Sequence, residues 1–476
     1  MWRADSIKIE RVYAKVSNNE EGGLKRTENW DAEADIILVG GGSAGVSASI
    51  AASRLGKSVI LVERYGFLGG TATAAMVGPM ATFHTRSGKQ VIKGIPEEIV
   101  DELVSSGGSL GHIKDTIGVC STYTPFEPEI LKLVLLSAAR RAGVNILFHS
   151  WVHETLQKNG RIEAIRLYTK GGTVTLKGKV FIDSSGDGDV AAFSGVPFSV
   201  GENGVRPQPM TFIFKVGNVK LKETVNYILS HREEFWHETL FDDLANTPVI
   251  GVSGFYSFWK EAQAKGEVDI PRDRILFFSG IRPGEVVVNT TRIIQKNPLN
   301  PWDLSHAEEE GRKQLSSLLV FFRKYIPGFQ DCYLVQAATQ VGVRESRRIH
   351  GDYTLTAEDV SEGRSFSNGI AKGAYPIDIH DPEGKGIILK NVGGNGSYDI
   401  PYPCLIPQKV ENLLMAGRCI SATHEALGSC RIQATAMAIG QAAGTAAALS
   451  LDKKGEVRQV SIPELRNRLT QMGALL

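Results

Sequence analysis

One segment constrains the fold more than any other: residues 35–64 read DIILVGGGSAGVSASIAASRLGKSVILVER. A β-branched run, a glycine turn, small apolar residues at helical spacing and a second apolar run predict strand, turn, helix and strand. G-x-G-x-x-G in this context is typical of a dinucleotide site: the pyrophosphate lies at the helix amino end, and an acid after the second strand accepts from the ribose. The predicted contacts are Gly40, Gly42, Ser43, Ala44, Gly45 and Glu63.

A second glycine-containing segment follows directly after Glu63. The sequence RYGFLGGTAT, residues 64–73, contains Gly69 and Gly70, which let the backbone pass close to a second phosphate or a flavin ring. Strand, G-x-G-x-x-G, strand, acid and Gly-Gly loop together resemble the FAD-dependent oxidoreductases of the glutathione-reductase-type fold. The resemblance implies that FAD is the cofactor and that its ADP half lies on the first fingerprint. We add Arg64, Gly69, Gly70 and Thr71 to the predicted FAD contacts.

Another glycine-containing turn follows a predicted hairpin. Residues 124–172 predict a helix, a short strand and a hairpin with turns at Asn159-Gly160 and Gly171-Gly172. The next strand, in KVFIDSSGDGDVAAFSG (residues 179–195), ends in a glycine–acid turn. This turn resembles the family's second fingerprint, a strand that returns beneath the cofactor. Further predicted FAD contacts are therefore Asp183, Gly186 and Asp187.

The late segment 410–449 predicts a buried strand, LLMAG, a loop and a long helix of small residues. The helix lacks charge, as a membrane span does, but alanine supplies little transfer free energy, so we predict that it packs inside the protein. The residues that permit close approach are Gly440, Ala443, Gly444 and Ala447. Ser429 is predicted to cap this helix. The positive amino end of this helix favours an anionic reduced flavin.

Four stretches of the second half carry a closer resemblance. GVRESRRIHGDYTLT, YPIDIH, YDIPYPCLIP and NLLMAGRCISATHEALGS, in this order, resemble the FAD-dependent oxidoreductase family labelled FAD_oxidored. The resemblance covers residues 35–449 and implies an FAD site and a redox reaction on substrates that vary among members. Arg418 follows Gly417 where the wider flavoenzyme pattern has an aspartate that contacts the flavin ribityl chain, so this contact must be made differently. Gly417, Arg418, Gly428 and Ser429 complete the predicted FAD contacts.

Four side chains are candidates for catalysis. Arg344 lies in a dense cluster of charge after a strand-like run, where an arginine either pairs with acids and ties domains together or holds a substrate anion or the cofactor. Arg418 is the alternative for holding the anion or the flavin. His380 lies two residues after Asp378 in a short loop, a common general acid–base arrangement, and His424 is the other candidate for moving a proton.

The predicted fold is α/β, with a discontinuous, doubly wound, FAD-binding Rossmann-like domain and an inserted α+β substrate domain. A length of 476 residues is too great for one ordinary core. The predicted parts are an N-terminal extension (1–30), the FAD-binding domain (31–200 and 331–476) and a substrate or cap domain (201–330), where aromatic clusters replace the fingerprints. The sequence contains no second strand–GxGxxG–helix unit for NAD(P)H, which disfavours a disulfide-reductase architecture.

Net charge and cysteine content limit the classes of partner, metal site and compartment that we expect. A net charge of +1, from 53 basic and 52 acidic side chains, makes nucleic acid an unexpected partner. Five scattered cysteines without a CxxC pair predict no metal site and fit a reducing compartment. The first thirty residues lack an apolar stretch typical of a secretory signal, and we expect a cytoplasmic protein without a membrane span.

We predict an enzyme that transfers a hydride between a small organic substrate and FAD. NAD(P)H, a quinone, O2 or another carrier supplies or removes the electrons, and a homo-oligomer is a further candidate assembly. Two alternatives stay open. One is a flavin-dependent monooxygenase or halogenase that uses NAD(P)H transiently, and the other is a flavin-binding electron-transfer subunit of a larger complex.

Overall fold

Short apolar runs of this chain form strands, and the small-residue runs between them form helices. The structure is a computed structural model that describes residues 30–202, 207–381 and 386–476. The predicted N-terminal extension, residues 1–30, therefore lies outside the described residues except for Trp30.

The strands are β1 (Ala32–Val39), β2 (Val59–Val62), β3 (Met80–Ala81), β4 (Ile113–Lys114), β5 (Thr122–Thr124), β6 (Asn145–Leu147), β7 (Trp151–Lys158), β8 (Arg161–Thr169), β9 (Gly172–Asp183), β10 (Phe198–Val200), β11 (Phe214–Gly217), β12 (Gly251–Gly254), β13 (Ile275–Ser279), β14 (Val286–Val288), β15 (Tyr333–Ala337), β16 (Arg347–Ile349), β17 (Gly369–Gly373), β18 (Ile377–His380), β19 (Ile387–Lys390), β20 (Tyr398–Pro401) and β21 (Leu413–Met415). The α-helices are α1 (Ser43–Arg54), α2 (Thr71–Ala74), α3 (Ile95–Ser105), α4 (Pro128–Arg141), α5 (Asp189–Phe193), α6 (Leu221–Ser230), α7 (Tyr256–Ala264), α8 (Pro301–Tyr325), α9 (Ala357–Glu362), α10 (His424–Cys430), α11 (Gln433–Ser450) and α12 (Ile462–Gln471).

A seven-stranded sheet organises the nucleotide-binding part. Its strands lie in the order β6-β2-β1-β9-β8-β7, and β21 also pairs with β9. Pairing is parallel from β6 to β9 and antiparallel through the β7–β8–β9 hairpins. The late strand β21 runs parallel to β9, with Leu413 beside Phe181. The predicted discontinuous, doubly wound α/β fold is confirmed, because a strand from the end of the chain joins a sheet that the first strands begin.

Helix α11 packs across α1 through its glycines. A Cβ at Gly440 would lie 2.1 Å from Ala44 O, and one at Gly444 would lie 2.0 Å from Ala48 O. Only glycine therefore permits this approach of the two backbones. By length and composition α11 could cross a membrane, but 83% of its most apolar window is buried inside the protein. It is an interior helix, as its sequence predicts.

A five-stranded antiparallel sheet packs against an apolar cluster that is separate from the core of the nucleotide-binding part. Its order is β12-β13-β14-β11-β15. Helices α7 and α8 supply Trp259, Phe321 and Phe322 to the cluster that packs on this sheet. β15 joins the sheet although the predicted substrate domain ends at residue 330. Trp259, Phe321 and Phe322 thus form core.

Candidate functional site

The carboxyl ends of parallel strands meet at one edge of a sheet, where α/β proteins bind ligands. β1, β2, β9 and β21 end at such an edge, and residues after them line a cavity of about 440 Å³. The predicted site residues that line it are Gly40, Gly42, Ser43, Ala44, Glu63, Arg64, Gly70, Thr71, Gly186, Asp187, Arg344, His380, Gly417 and Arg418. Those that do not line it are Gly45, Gly69, Asp183, His424, Gly428 and Ser429.

The first glycine turn brings backbone against backbone. Gly40 has a φ of 102°, and a Cβ there would lie 2.3 Å from Ser184 O. A Cβ at Gly45 would lie 1.8 Å from Gly40 O, so Gly45 lets α1 approach the turn from behind. Gly69 N–H donates to Gly41 O at 2.8 Å and joins the second glycine loop to the first. Gly45 and Gly69 therefore shape the cavity without lining it.

Three helix amino ends open on the cavity. α1 begins after Gly42, α2 after Gly70 and α11 after Ile432, and no side chain caps these three ends. Uncapped ends leave backbone N–H groups and the positive pole of the helix dipole for an electron-rich ligand. Gln433 Oε1, at the start of α11, is buried without a hydrogen-bond partner among the described residues. The uncapped helix ends fit FAD, whose pyrophosphate and flavin pyrimidine oxygens accept hydrogen bonds, and the amide oxygen of Gln433 is an acceptor for a ligand N–H.

The prediction that Ser429 caps the long helix is wrong. Ser429 lies inside the separate short helix α10, whose cap is Thr423. Its Oγ donates to Tyr375 O at 2.5 Å, and a Cβ at the neighbouring Gly428 would lie 2.8 Å from Asp378 O. These two residues therefore pack α10 against the chain around β18. The chain turns again before α11, so the helix end at the cavity is Ile432.

Glu63 lies directly after β2 and fixes the first glycine turn. Its carboxylate accepts from Gly41 N at 2.6 Å and from Tyr65 N at 2.9 Å. The side chain is buried, and burial raises its pKa. The neighbouring Arg64 donates from Nη2 to Gln340 Oε1 at 3.4 Å. Both side chains line the cavity, where the sequence predicts the ribose contact.

Asp183 points into the protein instead of into the cavity. Its carboxylate accepts from Ser185 N at 3.1 Å, Ser185 Oγ at 2.7 Å and Ala191 N at 3.0 Å. Full burial raises its pKa to about 6. Asp183 thus holds the turn that carries Gly186 and Asp187 to the cavity.

Arg418 contacts that same turn. Its Nη2 lies 2.7 Å from Asp187 Oδ1, and its Nη1 donates to Ser346 Oγ at 3.2 Å. Burial opposes ionisation of Asp187, yet Arg418 and Ser346 hold its pKa below the ordinary value. In place of the aspartate of the wider flavoenzyme pattern, this chain has an Asp187–Arg418 ion pair in the cavity wall.

His424 lies behind the cavity wall. Its Nδ1 is 2.9 Å from the fully buried carboxylate of Glu345, which also pairs with Arg348. Arg348 donates further to Gly201 O at 3.0 Å and to Ala422 O at 3.1 Å. This buried network ties β16 to the chain before α10, and the structure does not bring His424 to the cavity.

His380 and Asp378 share one side of β18, as the alternation predicts, but they lie on a strand rather than in a loop. His380 Nε2 is 3.4 Å from Asp378 Oδ2, and Nδ1 is 3.1 Å from Arg292 Nη2. Because a guanidinium only donates, Nδ1 accepts and the proton is on Nε2, facing Asp378. Burial lowers the pKa of His380 to about 3, so the imidazole is neutral at neutral pH.

Sequence reasoning missed the wall that the five-stranded sheet supplies. Arg272 and Arg274 precede β13, Leu276 and Phe278 lie on it, and Asn289 follows β14; all line the cavity. The signal was present in PRDR, residues 271–274: two arginines directly beside an apolar strand, as at Arg344. No group of three or more histidine, cysteine or acidic side chains in the described ranges could hold a metal ion.

Comparison with protein-family models gives a match across most of the chain. The family model described as FAD dependent oxidoreductase matches residues 35–469. A urocanate reductase of Eggerthella lenta is 31% identical over 87 residues, which are 18% of this chain and 14% of the relative. A fumarate reductase (cytochrome) of Shewanella frigidimarina is 33% identical over 109 residues, 23% of this chain and 19% of the relative. This chain therefore matches less than a fifth of either relative's length.

Solved structures resemble the chain at low identity. A geranylgeranyl bacteriochlorophyll reductase-like protein from Thermoplasma acidophilum is 12% identical, with 92% of this chain and 84% of that chain covered and a TM-score of 0.45. L-proline dehydrogenase from P. horikoshii is 10% identical, with 94% and 100% covered and a TM-score of 0.42.

Proposed function

This chain belongs to the FAD-dependent oxidoreductase family, whose model matches residues 35–469, and from that premise we propose that it transfers a hydride between a small organic substrate and the flavin. One observation carries the proposal. A single cavity is lined both by the glycine turns of the central sheet and by side chains of the five-stranded sheet. Such a cavity has room for a cofactor along one wall and a substrate against the other.

The cavity wall offers a candidate contact for each part of FAD. We assign the pyrophosphate to the uncapped amino ends of α1 and α2 and the ribose to Glu63. The Asp187–Arg418 pair is our candidate for the middle of the cofactor, and the amino end of α11 for the electron-rich edge of the flavin. When bound, FAD accepts a hydride from a substrate carbon or returns one to it.

The accompanying proton needs a residue of the chain. In the oxidative direction the substrate loses a hydride from carbon and a proton from oxygen, nitrogen or a neighbouring carbon; in the reductive direction it gains both. Of the two histidines that the sequence suggests, His380 lines the cavity and His424 does not. We propose that neutral His380 orients, through its Nε2–H, the group that exchanges this proton, and that Asp378, 3.4 Å from Nε2, fixes the ring in this tautomer. Nδ1 is already occupied by the Arg292 donor. NAD(P)H, a quinone, O2 or another carrier closes the electron balance.

Cofactor binding is tested with a matched pair of glycine variants. We expect the purified protein, reconstituted with FAD, to show bound-flavin absorbance. We expect Gly40→Ala to lose it, because a Cβ there meets Ser184 O at 2.3 Å. Gly56→Ala is the control: Gly56 also has a positive φ, 77°, but nothing lies within 4 Å of its Cβ. Equal flavin affinity in the two variants would contradict this position of the cofactor.

Hydride transfer is tested anaerobically. Sugars, polyols, amino acids and hydroxy acids are screened for reduction of the bound flavin, and enoates for oxidation of the reduced flavin. We expect one class to react, and we expect His380→Asn to slow that reaction and to alter its pH profile. NAD(P)H oxidation that starts only with an aromatic substrate would support a monooxygenase instead. A holoprotein that reacts with none of these classes would refute the proposal.

A further inference from the structure

Two arginine side chains in the cavity wall form no ion pair with an acid among the described residues. Arg272, which precedes β13, is 8% exposed and donates from Nη1 to Asn289 O at 3.0 Å. Arg344, which follows β15, donates from Nη1 to Pro209 O at 2.7 Å. Both line the cavity, and neither forms an ion pair with an acid in the part of the chain that the structure describes. Each guanidinium therefore keeps donors for a ligand.

Acidic side chains around the two arginines are engaged elsewhere. Asp378 lies 3.5 Å from Arg431 and 3.4 Å from His380. Asp273 lies 2.6 Å from Arg274. The carboxylates near this end of the cavity are thus already paired with other cations. Asp273 and Asp378 attract Arg272 and Arg344 through space, but among the described residues neither arginine has an ion pair of its own.

Asp115, another acid of the cavity wall, is held by the backbone. It accepts from Ile117 N and from Cys120 N, each at 2.9 Å, and burial raises its pKa. A carboxylate whose neutral form is favoured by burial is a poor counter-ion for a guanidinium.

The pKa shifts of the two arginines agree with their buried positions. Burial lowers the pKa of Arg272, and the positive charges of Arg292 and Arg344 lower it further. Burial and the charge of Arg431 also lower the pKa of Arg344. A buried charge without a counter-ion is destabilising, and natural proteins retain one where a ligand supplies the opposite charge.

The surroundings select an organic anion. Ile213, Leu276, Phe278 and Tyr123 line the same cavity, and Trp236 Nε1 is buried there without a hydrogen-bond partner among the described residues. Apolar side chains favour a ligand with a carbon skeleton, and a few convergent polar groups fix its orientation. A strongly hydrated inorganic anion gains nothing from these walls.

We propose that the substrate is a small organic carboxylate, and that Arg272 and Arg344 bind its carboxylate group. The planar guanidinium matches the two oxygens of a carboxylate. The proposal rests on the proposed function, since it names the substrate class for the same cavity. Of the two arginines that the sequence suggests for an anion, it selects Arg344, and it adds Arg272, which the sequence analysis did not single out.

The test uses the FAD-loaded protein and simple probes. Acetate, benzoate and succinate are each titrated against their uncharged amides, and inorganic phosphate serves as the hydrated anion; perturbation of the flavin absorbance reports binding. We expect at least one carboxylate to bind at least about tenfold more tightly than its amide and than phosphate. Equal affinity of carboxylates and amides, or tighter binding of phosphate, would overturn the proposal.

Variants separate the two arginines from general electrostatics. Arg272→Gln and Arg344→Gln each remove one positive charge, and we expect each to weaken carboxylate binding at least about tenfold while the amide affinity stays constant. Lys313→Gln, at a side chain that is 76% exposed on α8, removes the same charge from the surface and is the control. Carboxylate affinity that falls equally in all three variants would refute a direct contact.

Thermal unfolding gives a readout that does not depend on activity. Without ligand, we expect Arg272→Gln to unfold at the wild-type temperature or above, because the variant removes an unpaired buried charge. With the same carboxylate concentration added to both, the wild-type protein gains more stability than the variant. A variant that is destabilised without ligand would identify Arg272 as a structural cation. Loss of flavin binding by the wild-type protein would refute the proposed function, whereas bound flavin with no carboxylate preference would refute this inference alone.

Discussion

Replacing Gly440 with alanine tests how the two helices of the nucleotide-binding part fit together. A Cβ at this position would lie 2.1 Å from Ala44 O, whereas real Cβ atoms essentially never approach within 3.0 Å. The helices must therefore separate by the difference, about 0.9 Å. Because the obstacle is backbone, we expect a cost of about 3 kcal/mol, the upper part of the usual range for overpacking. Alanine regains about 1 kcal/mol as a better helix former. The net loss of stability is about 2 kcal/mol.

The separation of α1 and α11 in Gly440→Ala also changes the proposed FAD site. Ala44 belongs to the first turn of α1 and lines the cavity, so moving it shifts the backbone N–H groups that face the pyrophosphate. We expect FAD affinity to fall about tenfold, the equivalent of one weakened charged hydrogen bond. Urea unfolding of the apoprotein measures the stability, and titration with FAD measures the affinity.

A substitution elsewhere on the same helix controls for helix propensity. Ala438→Gly changes a partly buried position of α11 and costs about 1 kcal/mol in propensity without pushing on α1. We expect its FAD affinity to match the wild type. If Gly440→Ala unfolded at the wild-type urea concentration and kept the wild-type affinity for FAD, the close approach of α1 and α11 would be refuted.

Three further predictions concern single side chains. Glu63→Ala removes the acceptor of two backbone N–H groups, that of Gly41 in the glycine turn and that of Tyr65, so we expect a loss of about 1–3 kcal/mol in urea unfolding and weaker FAD binding. His380 has a pKa of about 3 when folded against 6.5 ordinarily, so acid protonates the unfolded chain first and the protein loses about 2 kcal/mol between pH 6.5 and pH 5. Urea unfolding of His380→Gln at pH 7 and pH 5 should lack that part of the loss. Arg418→Ala leaves the Asp187 carboxylate without its cation, and FAD titration should show about tenfold weaker binding.

Local patterns predicted the central sheet because each of its parts is encoded within a few residues. The glycines at positions 40 and 45 specify a turn that leaves no room for a Cβ, and the strand before them and the helix after them follow directly in the sequence. The small-residue face of α11 likewise predicted its close packing, since Gly440 and Gly444 recur at helical spacing. What depends on neighbours in sequence was therefore accessible.

Features that depend on contacts between distant parts of the chain could not be predicted from the sequence. Asp183 and Asp187 belong to the same glycine–acid turn, yet one accepts hydrogen bonds from the protein interior and the other lines the cavity. His380 ends β18 and lines the cavity, whereas His424 begins α10 and contacts the buried carboxylate of Glu345, a partner far away in the sequence. Arg272 was missed because its role depends on a cavity that residues from the rest of the chain enclose.

The pairing of β9 has a consequence for biosynthesis. The last residues of β9 hydrogen-bond to β1 on one side and to β21 on the other. Until residues 413–415 leave the ribosome, the nascent chain therefore exposes an unpaired edge of this strand to other polypeptides. FAD meets a finished cavity only after translation of the long α11 segment, and a chain truncated before β21 should be retained by chaperones or aggregate.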